Sequence, residues 1–165
     1  MKKRIIALGL LWCLFAVMLQ AARVDTVLVR SAAMNKDVKV VYVLPDKAIG
    51  KQACPVVYLL HGYGGNARSW VQLKPELPQM ADEKGIIFVC PDGKNSWYWD
   101  SPENPAYRYE TFVTSELVKY TDGNYATIPD RKARAISGLS MGGHGALWSA
   151  IRHKDVFGAA GSMSG

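Results

Sequence analysis

Cysteine is scarce in this chain. There are three, Cys13, Cys54 and Cys90, and neither a C-x-x-C nor an H-x-x-x-H pair occurs. A zinc site of ordinary spacing therefore has no support, and no metal or other cofactor is expected. Cys54 opens one predicted strand and Cys90 closes the next, which in a parallel sheet are opposite ends. A bridge needs Cα atoms within about 7 Å, so no intramolecular disulfide is expected. No apolar run reaches the ~20 residues of a comfortable membrane span; the stretch from Ile5 to Leu19 falls short. The positive excess is modest, net +6, and spread along the chain. That gives no case for nucleic acid as a partner.

The ends carry information of their own. Lys2, Lys3 and Arg4 precede the Ile5–Leu19 stretch, and Gln20-Ala21-Ala22 follows it. Basic, apolar and small residues in that order are the plan of a secretory signal peptide. Residues 1–22 are read as a leader cleaved near Ala22, which makes the product secreted or periplasmic, with no stable membrane insertion after cleavage. Cleavage removes three positive charges and leaves +3. The folded portion is then 23–165, one domain by length.

That portion alternates strands and helices. Val24 to Val29 and Val38 to Leu44 are β-branched runs that predict an antiparallel opening pair. Pro55 to Leu60 (PVVYLL) and Ile86 to Cys90 (IIFVC) are continuous apolar runs, as in strands covered on both faces. Between them a helix is predicted from near Pro78 to Gly85, with proline in its first turn and glycine just past its end. Tyr109, Phe112, Val113, Leu117 and Tyr120 fall on one helical stripe. A strand over 133–137, a helix over 141–153 and a last strand near 156–161 complete an α/β arrangement with a mainly parallel sheet and helices on both faces. The sequence stops just after that last strand, about the sixth, and an uncovered apolar edge is a hazard that natural domains avoid. The chain is accordingly read as the N-terminal portion of a longer protein.

Within residues 133–146, ARAISGLSMGGHGA, Gly138-Leu139-Ser140-Met141-Gly142 is a G-x-S-x-G segment. An apolar strand leads in, and helical spacing follows. Strand, sharp turn and helix is the setting that lifts a serine hydroxyl clear of a sheet as a nucleophile. In that architecture an Asp or Glu and then a His come later in the chain. Only 25 residues follow Ser140, holding one acid, Asp155, and two histidines, His144 and His153. His144 sits one turn along the same helix, and the other two lie at its far end, roughly 20 Å away at 1.5 Å per residue. None of the three is a credible base or orienter, so the triad partners of Ser140 are expected beyond this chain.

Two loops could serve such a nucleophile. His61-Gly62-Tyr63-Gly64-Gly65 follows PVVYLL directly, and an H-G-x-G-G loop there supplies one oxyanion-hole amide. His61 reads as a hydrogen bonder that locks the loop. The second amide is expected from Met141, at a helix N-terminus where the dipole favours an anion. Residues 92–110, DGKNSWYWDSPENPAYRYE, form a long polar loop carrying Trp97, Tyr98, Trp99, Tyr107 and Tyr109. Loops of this length are functional or disordered, and this many aromatics argues against disorder. The rings either face a sugar ring or aryl acid, or pack the loop onto the sheet. Asp100 and Glu110 are candidates for substrate hydroxyls, and Arg108 beside Glu110 reads as a local ion pair.

HGYGG, SWYWDSP, YRYETFVTSEL, GLSMGGHGAL and FGAAGSMSG stand in an order that resembles the esterase D-like family of α/β-hydrolases. That family includes S-formylglutathione hydrolases, feruloyl and acetyl xylan esterases, and mycolyltransferases. The resemblance covers nearly all of 38–165. It implies the α/β-hydrolase fold, Ser140 as nucleophile, and the backbone amides of Tyr63 and Met141 as oxyanion hole. It looks closest to secreted carbohydrate esterases acting on acetyl or feruloyl esters; apart from the resemblance, Trp97, Tyr98, Trp99 and Asp100 of the long loop stand as candidate substrate contacts. The expected partner is a small-molecule or polysaccharide ester. An acyltransferase of the mycolyltransferase type is the near alternative. A non-catalytic remnant or carbohydrate-binding protein is the reading from another class.

Overall fold

A computed structural model of the chain describes residues 22–165. The predicted leader lies outside the described residues except for Ala22. Strand β1 (Arg23–Ser31) pairs antiparallel with β2 (Lys36–Leu44) along its whole length, from Arg23 opposite Leu44 to Ser31 opposite Lys36. Strands β3 (Val56–Leu60), β4 (Ile87–Pro91), β5 (Arg134–Leu139) and β6 (Ala159–Met163) complete a sheet ordered β1-β2-β4-β3-β5-β6. β2 meets β4 antiparallel, whereas β4, β3, β5 and β6 run parallel. The apolar runs PVVYLL and IIFVC thus lie in the middle of the sheet, where both faces are covered.

Two cores form, one on each face. Short helices α1 (Asp46–Ile49) and α2 (Ser69–Leu73) and the longer α3 (Leu77–Lys84) lie between the early strands. Trp70, Leu77 and Ala81 from α2 and α3 cover Val41, Val43, Leu59, Phe88 and Cys90. α3 carries its proline in the first turn and ends on left-handed Gly85, φ 64°, as the sequence predicts. On the other face, Tyr42, Tyr58, Leu60, Val89 and Ile136 pack under α6 (Met141–Arg152) and the helix that begins at Tyr109.

That second helix is broken in pitch. α4 (Tyr109–Thr111) widens into a π-helical turn, Phe112–Glu116, before α5 (Leu117–Asn124) resumes α geometry. Phe112, Val113 and Thr114, the first three residues of this turn, are all buried. The Thr114 hydroxyl donates to the Glu110 carbonyl at 2.8 Å, one turn back along the helix. The last strand begins at Ala159 and not near 156, because Phe157 is drawn into the core, its ring edge-on to Tyr58 at 5.8 Å. Cys54 and Cys90 are both buried and both free. No helix among the described residues is long and apolar enough to cross a membrane.

Candidate active site

Ser140 sits between β5 and α6 with φ 53° and ψ −117°, exposed to solvent. A non-glycine residue held there stores on the order of 1–3 kcal/mol of backbone strain, and the surroundings must enforce it. They do so by close approach. A Cβ on Gly138 would stand 2.3 Å from the Gly142 carbonyl carbon, and one on Gly142 would stand 2.2 Å from the Leu60 oxygen. Both contacts are shorter than any side chain tolerates, so only glycine lets strand, turn and helix close up. The Ser140 amide donates to the Met163 carbonyl of β6 at 2.7 Å, and His144 N returns to Ser140 O at 3.0 Å as α6 begins. Met141 is buried as the first residue of that helix.

The 61–65 loop lies against this turn. A Cβ on Gly62 would come within 3.7 Å of Ser140 Cβ. His61 is buried, and its ring is fully employed: Nε2 accepts from the Gly93 amide at 2.9 Å, and Nδ1 lies 2.7 Å from the Gly62 carbonyl. Accepting at Nε2 fixes the neutral tautomer with the proton on Nδ1, donated to Gly62. The loop-locking role expected from the sequence is the geometry found. Asp92 approaches Nε2 at 3.7 Å. Burial opposes ionisation of Asp92, but hydrogen bonds from the Lys94 amide and ammonium outweigh it and hold the carboxyl well below the usual carboxylate range. Tyr63, the residue after Gly62, is exposed and lines a hollow of about 420 Å³ with Leu73, Leu139 and Gln72.

The aromatic loop divides its rings between two tasks. Trp97 and Trp99 stand half exposed. Together with His144 and Trp148 they line an apolar trough of about 350 Å³. His144 faces Trp97 edge-on and stacks on Trp148, at 5.5 and 6.0 Å between ring centres. Tyr98 is different and corrects the sequence expectation. It is fully buried, with its hydroxyl on the His61 backbone, so it cannot meet a substrate. Trp97 and Tyr98 lie in a turn, both at φ 57°, so no strand-like alternation in the sequence signals that the middle ring turns inward. Asp100 is likewise occupied: its oxygens accept from the Thr111 amide at 3.0 Å and the Thr111 hydroxyl at 2.5 Å.

Glu110 also departs from expectation. It does not pair with Arg108, whose guanidinium instead bonds the Ser101 carbonyl. Glu110 reaches across to α6 and receives Trp148 Nε1 at 2.8 Å, Arg152 Nε at 2.7 Å and His153 Nε2 at 2.8 Å. Burial raises its pKa, and these donors, Arg152 first, overcome that and bring it below the ordinary value. A cavity of about 670 Å³ opens beside this cluster, between Trp99, Thr114 and Asp155. Partners more than 35 residues apart leave no local signal, so sequence reasoning had no route to this cluster.

All three histidines of the chain are thus engaged, with loop backbone, with Trp97 and Trp148, and with Glu110. The site as described brings together an exposed serine, a helix N-terminus and a glycine loop, without an imidazole offered to the serine. No group of three or more His, Cys, Asp or Glu residues arranged to hold a metal occurs among the described residues.

Comparison with known proteins identifies the family. Residues 31–165 match the family described as "Putative esterase". The chain is 28% identical over 135 residues to an acetyl esterase of Caldicellulosiruptor saccharolyticus, covering 77% of this chain and 50% of that one. It is 34% identical over 151 residues to a diacylglycerol acyltransferase/mycolyltransferase of Mycobacterium gordonae, covering 86% and 42%. A solved ferulic acid esterase superposes with a TM-score of 0.73 at 31% identity, covering 85% of this chain and 59% of that one. The chain spans about half the length of the curated relatives it matches. It belongs to this esterase family and has the α/β-hydrolase fold.

Proposed function

We propose that this member of the esterase family is the nucleophile-bearing portion of a secreted serine carboxylesterase, acting on acetyl or feruloyl esters linked to carbohydrate. The observation that carries the reading is Ser140, exposed at φ 53° on a turn that only Gly138 and Gly142 permit. Strain of this kind persists where function selects it. The Ser140 hydroxyl attacks the ester carbonyl once its proton is taken, and the oxygen gains negative charge. The amides of Tyr63 and Met141 receive that charge, Met141 with the α6 dipole behind it. Collapse expels the sugar alcohol, and water then releases the acid. The base and the acid that orients it belong to the remainder of the full-length protein, beyond residue 165, because every histidine here is committed elsewhere. Export is read from residues 1–22, with cleavage near Ala22.

Trp97 and Trp99, with Trp148 and with His144 one helical turn past Ser140, offer flat faces suited to the sugar of the ester. Losing one stacking ring, worth about 1 kcal/mol, raises KM roughly fivefold. In the full-length protein, Trp97→Ala and Trp99→Ala are expected to raise KM on acetylated or feruloylated xylan by about that factor. Turnover of a small aryl acetate is expected to stay unchanged. Ser140→Ala is expected to remove at least about a thousandfold of aryl acetate hydrolysis; activity at the parent rate overturns the reading.

Acyl transfer is the second reading, favoured by the 34% identity to the mycolyltransferase. Supplying a sugar acceptor with an acyl donor separates the two: acylated sugar supports transfer, free acid supports hydrolysis. Polysaccharide binding with no ester turnover by the full-length protein supports instead a non-catalytic carbohydrate binder.

A further inference from the structure

The proposed chemistry depends on two amides from different elements being held at one point. Met141 is fixed by its helix, but Tyr63 belongs to an exposed glycine loop that has no regular structure of its own. What holds that loop is the segment immediately after β4. The Gly93 amide donates to His61 Nε2 at 2.9 Å. Asn95 Oδ1 receives the Gly64 amide at 2.8 Å. The Tyr98 hydroxyl accepts from the His61 amide at 3.0 Å and lies 3.3 Å from the His61 carbonyl, to which it donates.

Of these ties Tyr98 is the central one. Its ring is wedged between two glycines: a Cβ on Gly93 would stand 2.2 Å from it, and a Cβ on Gly145 of the nucleophile helix would stand 2.6 Å from its Cβ. The backbone is bent to deliver it, with Trp97 and Tyr98 both left-handed at φ 57°. A Tyr98 hydroxyl so buried stays protonated, its ionisation pushed far up by loss of solvent, and therefore keeps its donor. One side chain thus touches the helix that carries Ser140 and grips the loop that carries Tyr63.

We infer that Tyr98 is a positioning residue that sets the oxyanion amide of Tyr63 against Ser140, acting through the backbone of His61. The inference rests on the serine-esterase reading above. Tyr98 touches no substrate, so its removal leaves ground-state binding alone and withdraws stabilisation from the transition state. Misplacing an oxyanion donor is expected to cost about 10²-fold in kcat, with KM nearly unchanged.

The test uses the full-length protein carrying Tyr98→Phe, which keeps the ring and deletes the hydroxyl. Three quantities are read on a small aryl acetate: kcat, KM, and the inhibition constant of an aryl boronic acid, whose serine adduct is tetrahedral and anionic. The expected result is a kcat lowered about 10²-fold, KM within roughly twofold, and boronate affinity weakened in proportion to kcat. A variant with parent kcat and boronate affinity overturns the inference, whatever its melting temperature. So does one in which kcat falls while boronate affinity holds. Should Tyr98→Phe fail to fold, Gly145→Ala displaces the same ring while retaining the hydroxyl and is expected to move kcat and boronate affinity together. Ser140→Ala separates the two levels: if it retains activity the esterase reading fails, whereas a silent Tyr98→Phe beside a dead Ser140→Ala removes the positioning role alone.

Discussion

At the scale of single residues, the strained serine is held by what is missing around it. Gly142 sits on the carbonyls of Leu60 and His61, so adding one methyl there has nowhere to go. Backbone atoms cannot rotate aside as a flexible side chain does. Gly142→Ala is expected to cost about 1–3 kcal/mol of stability by overpacking. It also pushes the 61–65 loop and the Ser140 turn apart. The check is a thermal melt beside aryl acetate kinetics on the full-length protein, where Tm and kcat are expected to fall together. A variant with parent values of both means that α6 slides freely over β3, contrary to the contacts described. The same closeness explains why G-x-S-x-G is legible in sequence: its glycines are demanded by geometry, and the apolar strand before it and helical spacing after it supply the setting.

At the scale of elements, α6 and the helix starting at Tyr109 are fastened by Glu110. This carboxylate is depressed below its ordinary pKa when folded, as is Asp92. A group depressed on folding contributes stability that is fully present above its unfolded pKa, about 4, and is lost as pH falls through the folded value. Melting temperature is therefore expected to hold near neutrality and decline in acid from about pH 4 downward. Glu110→Gln should flatten part of that decline. Glu110→Ala leaves Trp148 Nε1 and His153 without their acceptor and is expected to cost about 1–3 kcal/mol at neutral pH. The Arg152 share is the smaller, since 54% of that side chain is exposed and water screens it. Melts of parent and both variants between acid and neutral pH check the sign. The long elements were legible because their periodicity is sustained: β2, β3, β4, α3 and α6 fall where apolar runs and helix-end residues place them. α1 and α2, of four and five residues, are too short to show a period. The π-helical turn was hidden because Tyr109, Phe112, Val113 and Leu117 fit an ordinary α stripe equally well. The inward turn of Tyr98 and the partners of Glu110 depend on tertiary contacts that neighbouring residues do not encode.

For the whole molecule, the described residues hold an exposed serine on a strained turn beside a glycine loop, with each imidazole spoken for; on the proposed reading these are half of a reaction centre. A protein limited to these 165 residues is expected to hydrolyse aryl acetates no better than triad-deleted enzymes do, roughly 10³ to 10⁴-fold over water. Turnover matching a full-length relative would mean that His144 or His153 leaves its present partners to serve Ser140. The two cysteines bear on the molecule as a whole in another way. Cys90 lies inside the central strand β4, where burial pushes its thiol up to about 12. Cys54 is equally covered, at the entrance to β3, where it bridges to Thr127. Neither offers a thiolate to a reagent until the strand that covers it has moved. The chain thus carries two internal clocks: alkylation at Cys54 times the parting of the 126–128 segment, and alkylation at Cys90 times the opening of the sheet.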